Sequence, residues 1–244
     1  MFEQISAFMN RYLTSYLFGF RKGYSAEQCL IVMIEAWKNA LDKKKYAGAI
    51  LTDLSKAFDS LNHTLLIAKL AAYGFDDPSL LFIQSYLDQR KQRTKIKYSY
   101  SSWNDVKTGV PQGSILGPLL FNIFINDIFL FIDESKIANY ADDNTLYTVD
   151  RDAIGVIDTL EREILTLLNW FRDNEMKPNE AKSNLLVRKV DNLSINVGNE
   201  MVHASTFVKL LGITIDYKLN FTEHINNICR KASQKFHALA RVAK

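Results

Sequence analysis

An α+β fold is predicted by three features of the 244-residue sequence: an apolar run, a carboxylate-bearing hairpin, and stretches with apolar residues at helical spacing. Residues 47–54 are apolar on both faces except for Asp53, which predicts a strand in the middle of a covered sheet. Residues 137–147 run apolar up to two adjacent acids and resume at once, which predicts a tight hairpin with Asp142 and Asp143 at its turn. Helical spacing is clearest at Ile157, Leu160, Ile164, Leu167, Leu168 and Phe171.

Composition narrows the class. With 48% hydrophobic and 23% charged residues, the chain can bury a sizeable core and is not disordered. Thirty cations against 27 acids give a net charge of +3, so a nucleic-acid partner has to be argued from where the charges sit. Cys29 and Cys229 lie far apart within apolar helical patterns, which predicts two buried thiols in a reducing compartment rather than a disulfide framework or zinc site. The first residues lack the basic and apolar regions of a signal peptide, and the longest apolar stretch, 115–125, is too short for a membrane span. The expectation is an intracellular protein with no membrane partner.

In chain order, Phe2, Ile5, Phe8 and Met9 begin a helix, and residues 19–23 then form a loop in which two glycines bracket Arg21 and Lys22. Such a loop can present cations to phosphate or leave them in water. Ser25 caps a second helix with an apolar stripe from Cys29 to Leu41. Asp53 ends the central strand, where a carboxylate is costly unless paired, and so becomes the natural partner of Asp142 and Asp143. Phe58 follows one helical turn beyond it. Helices are expected over 64–73, closed by Gly74, and over 78–88, opened by a proline.

Residues 90–97 hold five cations and no acid, and alternation over 90–98 predicts a strand with Arg93, Lys95 and Lys97 on one face. That row suits a phosphate backbone or a soluble sheet edge. Residues 108–118 describe a rigid turn into a buried helix, with Gln112 set beside the helix N-terminus where a phosphate ligand would approach. Lys182 precedes a short apolar strand, Gly212 marks a bend in a hairpin, and residues 221–244 form a terminal helix with five cations and one acid, Arg230, Lys231 and Lys235 among them.

Taken in order, residues 19–25, 53–59, 109–118 and 140–143 with the pair Leu211 and Gly212 strongly resemble the reverse transcriptase of non-LTR retrotransposons, of the jockey-like LINE type. The resemblance covers nearly the whole chain. It implies a right-hand polymerase fold: an antiparallel palm sheet with flanking helices, partial fingers and the start of a thumb. The implied division is 1–45 partial fingers, 46–76 palm, 77–113 fingers insertion, 114–217 palm with catalytic hairpin and primer grip, and 218–244 thumb. It further implies two magnesium ions, replaceable by manganese, on Asp53, Asp142 and Asp143, with Asp53 and Asp142 as principal ligands. Phe58 matches the aromatic gate against a ribose 2′-hydroxyl, Gln112 a contact to the incoming nucleotide, and Arg21 a contact to its triphosphate. Lys182 matches a proton donor to pyrophosphate, and Leu211 with Gly212 the primer grip.

The implied partners are an RNA template, a DNA primer and deoxynucleoside triphosphates, with the cations of 93–97 and 230–235 on the nucleic-acid backbone. Relative to the family the sequence is expected to be truncated at both ends, lacking a further finger segment, an endonuclease domain and a Cys/His knuckle. The expected activity is RNA-directed DNA polymerisation; the alternative is a catalytically weak relic that binds nucleic acid. A carboxylate-based nuclease or phosphatase would fit the three acids and leave the 109–113 turn unexplained.

Overall fold

The computed structural model describes residues 1–188 and 193–242. Helices α1 (Phe2–Met9) and α2 (Ala26–Asp42) precede strand β1 (Tyr46–Thr52), and helices α3 (Ala57–Ser60), α4 (His63–Ala72) and α5 (Asp77–Leu87) follow it. An arm of four two-residue strands comes next: β2 (Lys91–Gln92), β3 (Lys95–Ile96), β4 (Ser99–Tyr100) and β5 (Asn104–Asp105). Helix α6 (Leu116–Ile125) leads to the hairpin β6 (Lys136–Tyr140) and β7 (Asp143–Asp150), then to helix α7 (Ala153–Asp173). Strands β8 (Asn184–Val187), β9 (Ser194–Val197), β10 (Glu200–Ser205), β11 (Phe207–Leu210) and β12 (Ile213–Asp216) precede the last helix, α8 (Thr222–Val242). Among the described residues no helix is long and apolar enough to cross a membrane.

Six strands form one sheet in the order β6-β7-β1-β8-β10-β9, antiparallel throughout except where β10 runs parallel to β8. Strand β1 lies inside the sheet between β7 and β8, which is why its residues are apolar on both faces. Ile50 joins the core built with α6 and α7, while Ala47, Ala49 and Leu51 join a second core with Met33 and Trp37 of α2 and Val208 and Ile215 of the β11–β12 hairpin. Gly48 lets α7 come close: a Cβ there would lie 2.4 Å from Val156 Cγ1. Helix α2 starts where Ser25 predicts, through a reciprocal capping box with Gln28. Helix α6 is buried from Leu119 to Ile125, and Asn122 is the polar exception in its otherwise apolar surface.

Three expectations need correction. Cys29 is buried, and its thiol is pushed up to about 12 by burial, whereas Cys229 is exposed because α8 stands largely outside both cores. The cationic stretch is not one strand over 90–98: β2 and β3 are separate, and the chain turns at Lys97, whose φ is +53°. In the acidic hairpin, Tyr140 pairs with Asp143, so the two turn residues are Ala141 and Asp142, and Asp143 begins the next strand. Lys244 of the terminal basic helix lies outside the described residues.

Candidate active site

Two strands bring the acids together. Thr52 pairs with Asn144 in the β1–β7 ladder, so Asp53, one residue past the end of β1, stands beside Asp143 at the start of β7. Asp142 occupies the adjoining turn, which is tight because Ala141 takes a φ of +58°. All three carboxylate residues are partly buried. Burial, then the charges of Asp142 and Asp53, hold the Asp143 carboxyl above the ordinary carboxylate range. Among the described residues neither Asp142 nor Asp143 receives a hydrogen bond or ion pair at its carboxylate. Asp53 does, from Lys182 Nζ at 3.3 Å.

A cavity of about 190 Å³ opens on this cluster, lined by Asp53, Asp143, Lys182, Lys209, Leu210 and Leu211 among others. Leu211 and Gly212 form the two-residue turn of the β11–β12 hairpin, both with positive φ, at 48° and 86°. A two-residue turn of this kind matches the right-handed twist of its strands, and glycine tolerates the conformation while leucine does so only with strain.

Phe58 and Gln112 meet one another's surroundings on a separate wall. The Phe58 ring stacks on Phe121 at 4.6 Å between centroids and meets Phe20 edge-on at 5.6 Å. The 108–112 turn is laced to the same segment: Thr108 Oγ1 donates to Asp59 O, the Val110 amide to Phe58 O, and Gln112 Nε2 to Asp59 Oδ1 at 2.8 Å. Gly109 has φ +77°, and a Cβ on it would lie 2.6 Å from Asp59 Cα, so the turn can sit this close only with glycine. Neither Phe58 nor Gln112 lines the cavity at Asp53. Arg21 does not line it either. Its guanidinium donates to the carbonyls of Thr14 and Leu17 and to Asn10 Oδ1, and packs over Tyr24 at 4.2 Å. Arg93, Lys95 and Lys97 lie on the exposed arm, and Arg230, Lys231 and Lys235 on the exposed face of α8, both away from that cavity's lining.

Several contacts that shape the site carried no sequence signal. The amide of Asn139, fully buried, donates to the Ala141 carbonyl and to Asn144 Oδ1, and Asn144 donates back to the Asp142 carbonyl. Two buried asparagines thus hold the turn that carries Asp142, a role that single polar letters in an apolar strand only hint at. Gly19 approaches that turn directly: a Cβ there would lie 2.4 Å from the Ala141 nitrogen. The Gly19 carbonyl is held by Asn122 Nδ2 at 2.7 Å, and residues 16–18 hydrogen-bond along the edge of β6 through Asn139. Arg90 and His63 both bond the Gly109 carbonyl, tying the base of the arm to the Gln112 turn.

The donor chemistry fits a hard divalent cation: three carboxylates gathered in a partly buried place, two of them without a hydrogen-bond donor. Their side chains as placed do not close around one. Among the described residues no three acidic, histidine or cysteine side chains lie within ligating reach of a common point, and Asp53 is turned to Lys182.

Residues 2–215 match the family model described as reverse transcriptase (RNA-dependent DNA polymerase). The chain is 30% identical over 241 residues to the probable RNA-directed DNA polymerase from transposon BS of Drosophila melanogaster, covering 94% of this chain and 26% of that protein. It is 28% identical to the RNA-directed DNA polymerase from mobile element jockey of the same species, covering 88% of this chain and 25% of that one. The chain therefore spans about a quarter of the length of these curated relatives. Among solved structures it is similar to apo telomerase from Candida tropicalis truncated from its C-terminal domain, with a TM-score of 0.62 at 16% identity over 89% of this chain and 44% of that one. At that identity the likeness speaks for the fold alone: the central sheet with flanking helices is of the right-hand polymerase type.

Proposed function

Because the chain belongs to the reverse transcriptase (RNA-dependent DNA polymerase) family, we propose that it adds deoxynucleotides to a primer 3′-hydroxyl against an RNA template. The observation that carries this reading is the gathering of Asp53, Asp142 and Asp143 at the strand ends beside a cavity that Leu211 borders. The relatives named RNA-directed DNA polymerases, which align with nearly the whole chain, support it.

In this reading Asp53 and Asp142 would be the principal ligands of two magnesium ions, with Asp143 beside them and manganese as a substitute. Such ions, held by these carboxylates, would lower the pKa of the attacking hydroxyl and neutralise the leaving pyrophosphate. Lys182 holds Asp53 until that carboxylate is needed, and its freed ammonium then protonates the pyrophosphate. Phe58, braced by Phe121 and Phe20, is the wall that a ribose 2′-hydroxyl would strike. Gln112, oriented by Asp59, contacts the incoming nucleotide. Arg21 reaches the triphosphate by giving up its hydrogen bonds to Asn10, Thr14 and Leu17. Leu211 and Gly212 grip the primer, and Arg230, Lys231 and Lys235 meet the duplex. The division into fingers, palm and thumb follows the boundaries given above.

Primer extension on an RNA template with magnesium tests the proposal. The wild-type chain is expected to extend the primer, and Asp142→Asn to lose at least about a hundredfold in rate with template binding unchanged. A wild-type chain that binds template yet extends nothing refutes it.

A further inference from the structure

We propose that the arm formed by residues 91–105 is a stacking platform for an unpaired nucleic-acid strand, with Tyr98, Tyr100 and Trp103 taking bases and Arg93, Lys95 and Lys97 taking phosphates. This deepens the polymerase reading and rests on it only for the identity of the strand, the template beyond the site.

Every residue from 91 to 105 is exposed. The arm pairs with itself, Lys91 opposite Asp105 and Lys95 opposite Tyr100. Two-stranded ribbons this short are marginal in water on their own. This one nevertheless keeps three large rings out of any core, with Tyr98 97% exposed, Trp103 57% and Tyr100 51%. Its cations are organised around those rings. The Arg93 guanidinium lies 4.0 Å from the Tyr100 centroid and 4.5 Å from that of Trp103, and Lys95 Nζ lies 5.3 Å from Tyr100. Since Lys95 and Tyr100 are cross-strand partners, they share one face of the ribbon.

The chemistry selects the occupant. Between 91 and 105 stand four cations and one acid, Asp105, which is itself paired with Lys91 at 3.7 Å. An anionic partner is required. Ile96 is the sole large aliphatic side chain of the arm, too little for a wedge into a lipid surface. Flat exposed rings set among cations are the composition that binds single strands with little regard to sequence, because every base has a face to stack and every nucleotide a phosphate. A duplex hides its base faces and would use the cations alone.

Trp103 makes the test direct, since Trp37 and Trp170 are 2% and 4% exposed and so shielded from added ligands. Intrinsic emission is titrated with an oligoadenylate RNA of about 15 nucleotides, roughly one site. Saturable quenching by the single strand, weak or none by a duplex of equal length, and loss of the signal in Trp103→Phe are expected. Tyr100→Ala, and Tyr98→Ala at a side chain with no packing to lose, should each weaken binding at least about fivefold with the salt dependence unchanged. Lys95→Gln with Lys97→Gln should instead flatten the salt dependence. Absent quenching, an equal response to duplex, a response to phosphatidylserine vesicles in place of RNA, or full affinity in both tyrosine variants overturns the proposal. Primer extension that survives such a failure removes the platform and keeps the polymerase; quenching without extension does the reverse.

Discussion

Replacing Gly19 with alanine adds one methyl group, and the structure says where it must go. The new Cβ would stand 2.4 Å from the Ala141 nitrogen and 3.2 Å from its Cα, about 1 Å inside van der Waals contact. Both parties are backbone, so no side chain can swing away. Either residues 16–19 lift from the edge of β6 or the turn carrying Asp142 moves. Lifting breaks the hydrogen bond that the Phe18 N–H donates to Asn139 O and strips Asn122 Nδ2 of the Gly19 carbonyl, leaving a fully buried side-chain amide without its acceptor. An orphaned buried donor costs about 1–3 kcal/mol and overpacking about 1–3 more, so a loss of roughly 2–6 kcal/mol is expected. Urea denaturation followed by circular dichroism measures it. Primer extension should fall further than the unfolded fraction explains, because a 1 Å misplacement of a reacting group can cost about a hundredfold. Gly48→Ala is the comparison. Its Cβ meets side-chain atoms of Val156 and Leu160 rather than backbone, so the loss comes from overpacking alone, about 1–3 kcal/mol, with no buried donor orphaned. If Gly19→Ala costs under about 0.5 kcal/mol, or less than Gly48→Ala, the reasoning about the turn is wrong.

Asp143 yields a pH prediction. Its carboxyl is held above the ordinary range, so the fold disfavours the anion, and stability is lost as pH rises past the ordinary value and through the raised one. Asp143→Asn should therefore raise the melting temperature of the metal-free chain at neutral pH, with the gain fading towards about pH 4. Magnesium should stabilise the wild type more than this variant, which keeps Asp53 and Asp142, and equal magnesium shifts in both would remove Asp143 from the site. Phe58→Val is expected to relax discrimination against ribonucleotides by at least about tenfold in competing extension assays; unchanged discrimination would reject the gate. Lys69, whose pKa is lowered chiefly by burial, bonds Asp127 at 2.7 Å and the Phe124 carbonyl at 2.8 Å. Asp127→Asn leaves that ammonium short of its counter-charge, and because Asp127 is 30% exposed a loss of about 1–3 kcal/mol is expected by thermal melting.

How much of this was legible in the letters depends on the kind of physics involved. The central strand announced itself because burial on both faces forces an unbroken apolar run, and Ser25 because a cap needs a hydroxyl at one position. The three acids were legible as a set because a carboxylate ending an apolar strand demands a partner. What stayed hidden depends on distances between segments far apart in the chain. Nothing local says that Gly19 touches Ala141, that Asn122 holds Gly19, or that Arg90 and His63 share the carbonyl of Gly109. Cys229 misled for a similar reason: its apolar spacing is genuine, yet α8 has little of the chain to bury it against. The 90–98 alternation failed because a two-residue turn at Lys97 and Tyr98 uses letters that also suit a strand.

The leucine at position 211 sets up a contest between robustness and use. A turn with both central residues at positive φ accepts asparagine or glycine readily, whereas leucine in that conformation costs about 1–2 kcal/mol. Variants selected only for heat resistance should drift away from leucine there. Variants selected for DNA synthesis should hold it, and the gap between the two outcomes measures what the side chain contributes at the mouth of the cavity.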